Sequence, residues 1–168
     1  SYTIKSKLVV LALSITSSFC FGQQNRSAIC RLGEVTNDSL LPYIQSLEID
    51  CDKDVKTFVQ KSEQLTSMNT VQLKGDASPE NWETILKTLP VHPYVKTLLF
   101  TDNTFATLPY GYEGLFSIKN ITFKSNEDLD HSTMINQLAN LPNIRDLSLE
   151  VVTIFELPNK LYGLINIE

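Results

Sequence analysis

One pattern narrows what this chain can fold into more than any other: a short apolar alternation that returns about every two dozen residues. It runs through Ile44, Leu47 and Ile49, then Met68, Val71 and Leu73, then Val95, Leu98 and Phe100. It continues through Ile118, Ile121 and Phe123, then Ile144, Leu147 and Leu149, and a sixth copy opens at Ile167. Successive starts lie 24, 27, 23, 26 and 23 residues apart. In an extended strand alternate side chains point to opposite faces, so the fourth and sixth positions of each copy share one face. No single copy can bury that face alone, but stacked copies can. The pattern therefore predicts two internal columns, one of Leu47, Val71, Leu98, Ile121 and Leu147 and one of Ile49, Leu73, Phe100, Phe123 and Leu149.

Further positions repeat in step. Eight residues after a start stand Asn103 and Asn126, whose amides suit the backbone turn leaving a strand; Asp52 and Asp76 are partial substitutes, and Val152 departs. Two residues later come Phe105 and Ile154, whereas Asp54 and Ser78 break the apolar requirement. Leu108, Pro109 and Leu115 in one copy answer to Leu157, Pro158, Leu161 and Leu164 in another. Over residues 44–168 the chain resembles the leucine-rich repeat family, with its L-x-x-L-x-L core. The resemblance implies an α/β fold: a leucine-rich repeat solenoid with a curved parallel β-sheet on its concave side and mixed helical and extended return segments on its convex side. It also implies a module that binds a protein or glycan partner through the concave strands.

Length divides the return segments. The 23-residue copies carry Leu-Pro and little helical periodicity, which predicts extended chain or a short 3₁₀ turn. The longer copies predict helices. Ser78 is a cap with Pro79 at the first helical position, and Trp82, Ile85, Leu86 and Leu89 form an apolar stripe. Asp130 caps a second, with Met134, Ile135, Leu138 and Leu141 inside. A helix from about Val55 to Leu65 is expected to bury Val55, Phe58 and Val59. Tyr110, Tyr112 and Phe116 are expected to pack between return segments, with Tyr110 and Tyr112 as candidates for exposure.

The beginning of the chain differs in kind. Lys5 and Lys7 precede an apolar run from Leu8 to Ile15 and a small-polar exit, the order of a secretory signal peptide over residues 1–22. That run is too short for a membrane span, which needs about 20 apolar residues. A lipoprotein reading, with Cys20 acylated, fits less well because Phe19 stands where a small residue is expected. Residues 23–43 then form an N-terminal capping segment. The reading predicts a secreted or cell-surface protein. Net charge is −5, and removing residues 1–22 takes two of 14 basic residues and none of 19 acidic ones. Such a balance argues against nucleic acid, whose phosphates need clustered positive charge. Cys30 and Cys51 remain, an even count for an oxidising compartment, so a Cys30–Cys51 disulfide and two free thiols are both open.

Chemistry is scarce. Asp50, Asp52 and Asp54 resemble the start of an EF-hand calcium loop, but Val55 and Lys61 occupy positions where that loop requires Gly and Glu. His92 and His131 fall in different copies, on return segments, with no nucleophile or metal set expected beside them. Sequons at Asn25, Asn37 and Asn120 have no bearing unless the source glycosylates exported proteins. The reading is of a protein without cofactor, metal or catalytic residues.

The outward positions of the strands form the candidate binding face: Glu48, Gln72, Lys74, Leu99, Thr101, Thr122, Lys124, Ser148 and Glu150, flanked by Ser46, Thr70, Thr97, Asn120 and Asp146. This face is polar and mixed in sign, with Leu99 its one apolar residue and no aromatic, although binding hot spots favour Trp, Tyr and Arg. Lys74, Lys96, Lys119, Lys124 and Arg145 form a modest basic strip. An alternative expectation is that these residues are the scaffold or targeting part of a longer protein whose activity lies beyond Glu168, since the sixth copy stops after two residues.

Overall fold

The structure is a computed structural model that describes residues 29–150. The expected signal segment, Cys20, Asn25, Val152, Ile154 and the copy opening at Ile167 lie outside those residues. The protein is α/β, with a six-stranded parallel sheet whose strands stand side by side in chain order. They are β1 (Cys30–Arg31), β2 (Ser46–Asp50), β3 (Thr70–Lys74), β4 (Thr97–Thr101), β5 (Asn120–Lys124) and β6 (Asp146–Glu150). From β2 onward the register never slips: Leu47, Val71, Leu98, Ile121 and Leu147 face one another across the sheet, as do Ile49, Leu73, Phe100, Phe123 and Leu149. A one-residue slip would turn these side chains to the opposite face, so burial fixes the pairing.

Both columns are buried through β5, and Leu147 and Leu149 on the last described strand are half-buried against the same core. Phe100 and Phe123 stack at 5.2 Å between centroids with ring planes 7° apart. Ladder bonds continue past the strand ends. The carbonyls of Gln45, Asn69, Lys96 and Lys119 each accept two backbone N–H groups from the next unit. At the exits Gly75, Asp102 and Ser125 occupy the same position of three units, with φ of 76°, 55° and 55°. Only the glycine is free of the steric cost of that left-handed turn.

Helix α1 (Val55–Lys61) follows β2, α2 (Pro79–Thr88) follows β3 and α3 (His131–Leu138) follows β5, all on the apolar side of the sheet. The unit after β4 makes only a 3₁₀ turn, Tyr112–Gly114, as its Leu-Pro sequence predicts. Ser78 Oγ accepts from Asn81 N at the start of α2, and the Asp130 carboxylate accepts from Thr133 N at the start of α3. These bonds satisfy donors that a helix start leaves open. Trp82, Ile85, Leu86 and Leu89, like Met134, Ile135, Leu138 and Leu141, are buried. Helix α1 is shorter than expected and passes into a 3₁₀ turn at Ser62–Gln64. Val59 is exposed because the buried side of α1 runs through Val55, Phe58 and Ser62, at three- and four-residue steps. Tyr112 is buried, whereas Tyr110 and Phe116 are exposed.

Candidate binding face and its surroundings

In-register parallel pairing brings every outward residue beside its counterpart on the next strand. Three rows result. The central row is Arg31, Glu48, Gln72, Leu99, Thr122 and Ser148; one flank is Asp50, Lys74, Thr101, Lys124 and Glu150; the other is Ser46, Thr70, Thr97, Asn120 and Asp146. Strands lie about 4.8 Å apart, so neighbours in a row are within side-chain reach.

Much of this face is tied to itself. Gln72 Nε2 donates to Glu48 Oε2 at 2.9 Å, and Arg31 Nε lies 3.3 Å from Glu48 Oε1. Lys124 Nζ pairs with Glu150 at 3.3 Å, and Lys53 with Asp50 at 3.5 Å. With its amide oriented to satisfy both ends, Asn120 donates to the Asp146 carboxylate at 2.7 Å and accepts from Thr97 Oγ1 at 3.2 Å. Exposed ion pairs of this kind contribute little to stability, but the bonds order the side chains that make them. Lys74 forms no ion pair with any described residue, and Leu99 is half-buried in the middle of the central row. In the expected basic strip Lys124 is paired with a carboxylate, whereas Lys96 Nζ donates to the uncharged Pro93 O at 2.7 Å and keeps its charge.

Thr101 departs from expectation. It is only 8% exposed, and its hydroxyl meets no partner among the described residues. Its short side chain sits in the row between Lys74 and Lys124. The remaining predicted face residues, from Glu48 to Glu150, are half-buried or exposed.

The Cys30–Cys51 disulfide is not formed. Cys30 pairs with Leu47, and Cys51 lies four residues further along that strand. That offset is about 13 Å of extended chain, well beyond the roughly 4.4–6.8 Å between Cα atoms that a disulfide spans. Cys51 is buried, and its thiol points to Ile49 O at 3.8 Å. Burial, followed by the charges of Asp50, Asp54 and Asp76, pushes its ionisation far above the ordinary thiol range.

The acidic turn after β2 directs its oxygens at the backbone. Asp50 Oδ1 accepts from Asp52 N and Lys53 N, and Asp54 Oδ2 accepts from Asp50 N. Partial burial pushes the Asp50 carboxyl up, but the N–H groups of Lys53 and Asp52 and the Lys53 charge hold it below its usual value. No group of three or more metal-ligating side chains is positioned to hold an ion among the described residues.

Sequence reasoning missed one pairing, the Ser62 hydroxyl 2.9 Å from His92 Nε2, both residues buried. They line a cavity of about 270 Å³ with Leu65, Met68, Val91 and Tyr94. Burial lowers the His92 pKa, opposed by a backbone hydrogen bond at Leu65, so the ring is neutral at pH 7. A serine beside a neutral imidazole has the geometry of a nucleophile and its base. The helix end that carries Ser62 does not favour an oxyanion. Ser62 caps the C-terminal end of α1, where the helix presents carbonyls and negative partial charge, and Leu65 N already donates to Ser62 O. Thirty residues separate the two, so only a correct alignment of units would have brought them together.

No helix among the described residues is long and apolar enough to cross a membrane. A scan against protein-family models and searches of curated proteins and of solved structures return no match.

Proposed function

We propose that the chain is an exported leucine-rich repeat protein that binds a protein or glycan partner through the outward face of its strands, as a binding module and not an enzyme. The observation that carries this reading is the face itself: five strands in unbroken register, with polar side chains fixed by cross-strand bonds around Lys74 and Leu99. A pre-ordered surface loses less entropy on binding than a mobile one. The 23- to 27-residue spacing of the strands and the buried amides of Asn103 and Asn126 support the family reading. Export rests on the order of residues 1–22.

The test is recovery of partners from extracellular extract on immobilised protein, comparing Lys74→Glu with Leu99→Arg and with Lys56→Glu on exposed α1. Loss of the same partners in the first two variants, and retention in the third, is the expected outcome. Retention in all three would remove the strand face from consideration.

A further inference from the structure

A groove of about 330 Å³ lies on the helical side of the sheet, between the start of α2 and the segment that follows β4. Its walls are Trp82, Phe105 and Tyr110, with Pro79 and Pro109 beside them and Asp76 at the mouth. The aromatic walls are held by the core: Phe105 meets Trp82 edge-on at 5.5 Å and Phe100 at 5.4 Å. Tyr110 is 73% exposed, and Gly111, with φ of 101°, turns the chain directly after it.

Two polar features bear on what this groove takes. The Trp82 indole N–H donates to no described residue. The mouth is acidic. Asp76, which lines it, is exposed and in no ion pair with a described residue. The Asp76 carboxylate is held in place by Thr104, whose N and Oγ1 donate to it at 2.6 and 2.9 Å.

We propose that this groove binds an extended proline-rich peptide segment carrying a basic residue at one end. Polyproline II chain makes no internal hydrogen bonds, so its carbonyls are free to accept from an indole N–H. Its prolyl rings pack on aromatic faces, and little entropy is lost because the segment is already extended. The basic residue meets the acidic mouth. A glycan is the poorer fit, because a sugar presents many hydroxyls to a groove lined mainly by aromatic and prolyl rings, with Asp76, Thr104 and Tyr110 as its other polar side chains. The site lies across the sheet from the strand face, so it stands or falls independently of that reading.

Trp82 is the single tryptophan of the chain, so its fluorescence and its indole N–H resonance report this groove alone. A synthetic decaproline ending in arginine should shift both signals saturably. Tyr110→Ala, at an exposed position, should weaken binding about tenfold. Replacing the peptide's arginine by glutamate should weaken it further, as should high salt. The proposal is overturned by the absence of a saturable shift at millimolar peptide, by unchanged affinity in Tyr110→Ala, or by equal binding of the glutamate peptide. A shift produced by a linear glucose hexasaccharide and not by the peptide would overturn it equally, in favour of a glycan site.

Discussion

Asn103 and Asn126 are the residues through which local chemistry governs the turn beyond each strand. Asn103 is 1% exposed; its Nδ2 donates to Gly75 O at 2.6 Å and Leu73 O at 3.4 Å, and its Oδ1 accepts from Asn126 Nδ2 at 3.3 Å. One side chain thus serves carbonyls of the unit before it and an amide of the unit after it. Removing such a group leaves buried partners unsatisfied, and that penalty exceeds the net worth of the bonds themselves. Asn103→Ala should cost about 2–4 kcal/mol, combining three lost bonds with a small cavity. Urea unfolding measures it, and a loss below half a kilocalorie would mean that the backbone turn holds without the amide. Asp76, the counterpart in the preceding unit, works differently because a carboxylate cannot donate. It turns outward and accepts from Thr104.

At the scale of elements, what the sequence made legible follows the strength of local signals. Strands β2 to β6 and helices α2 and α3 could be read because alternation, caps and apolar stripes agree there, whereas β1, two residues inside the expected capping segment, carries no alternation to read. Helix α1 was read less well: Val55, Phe58 and Val59 fit a stripe on paper, but packing selected Val55, Phe58 and Ser62. A polar residue on the inner side was invisible until its partner, His92, was brought up from the next return segment. The same limit applied to Thr101, which stands in its row between Lys74 and Lys124 of the neighbouring strands and is buried there. The Ser62–His92 bond ties the end of α1 to the 3₁₀ turn at Leu89–Val91, and it yields a test by pH. Burial lowers the folded pKa of His92, so the unfolded state binds the proton more readily. The stability gained from keeping the ring neutral is complete above the unfolded value near 6.5 and declines as pH falls through that value towards the folded one. His92→Gln keeps a hydrogen-bonding partner for Ser62 without the titration. Thermal melts between pH 7.5 and 5 should show a shallower loss of Tm in this variant than in the parent. Parallel curves would show that His92 does not carry the slope.

For the whole molecule, the relation between chain order and sheet order decides how damage spreads. Each strand from β2 to β5 pairs only with the strand before it and the strand after it, and the helices lie along the same sequence of units. Where coupling runs only between neighbouring segments, stability is close to a sum of segment terms and nearest-neighbour terms, whereas a core shared by all elements fails as one. Phe100 separates the two cases because it stacks on Phe123 and lies beside Trp82 and Phe105, joining the units of β3, β4 and β5. Phe100→Ala should cost about 3–5 kcal/mol, the usual range for emptying a buried aromatic site. Native-state hydrogen exchange then reads where that loss is felt. Amides of β3, β4 and β5 should lose the most protection, with those of β2, one unit further away, retaining more. An equal fall across β2 to β5 would show that the sheet opens as a single cooperative block, and nearest-neighbour coupling would have to be abandoned for this protein.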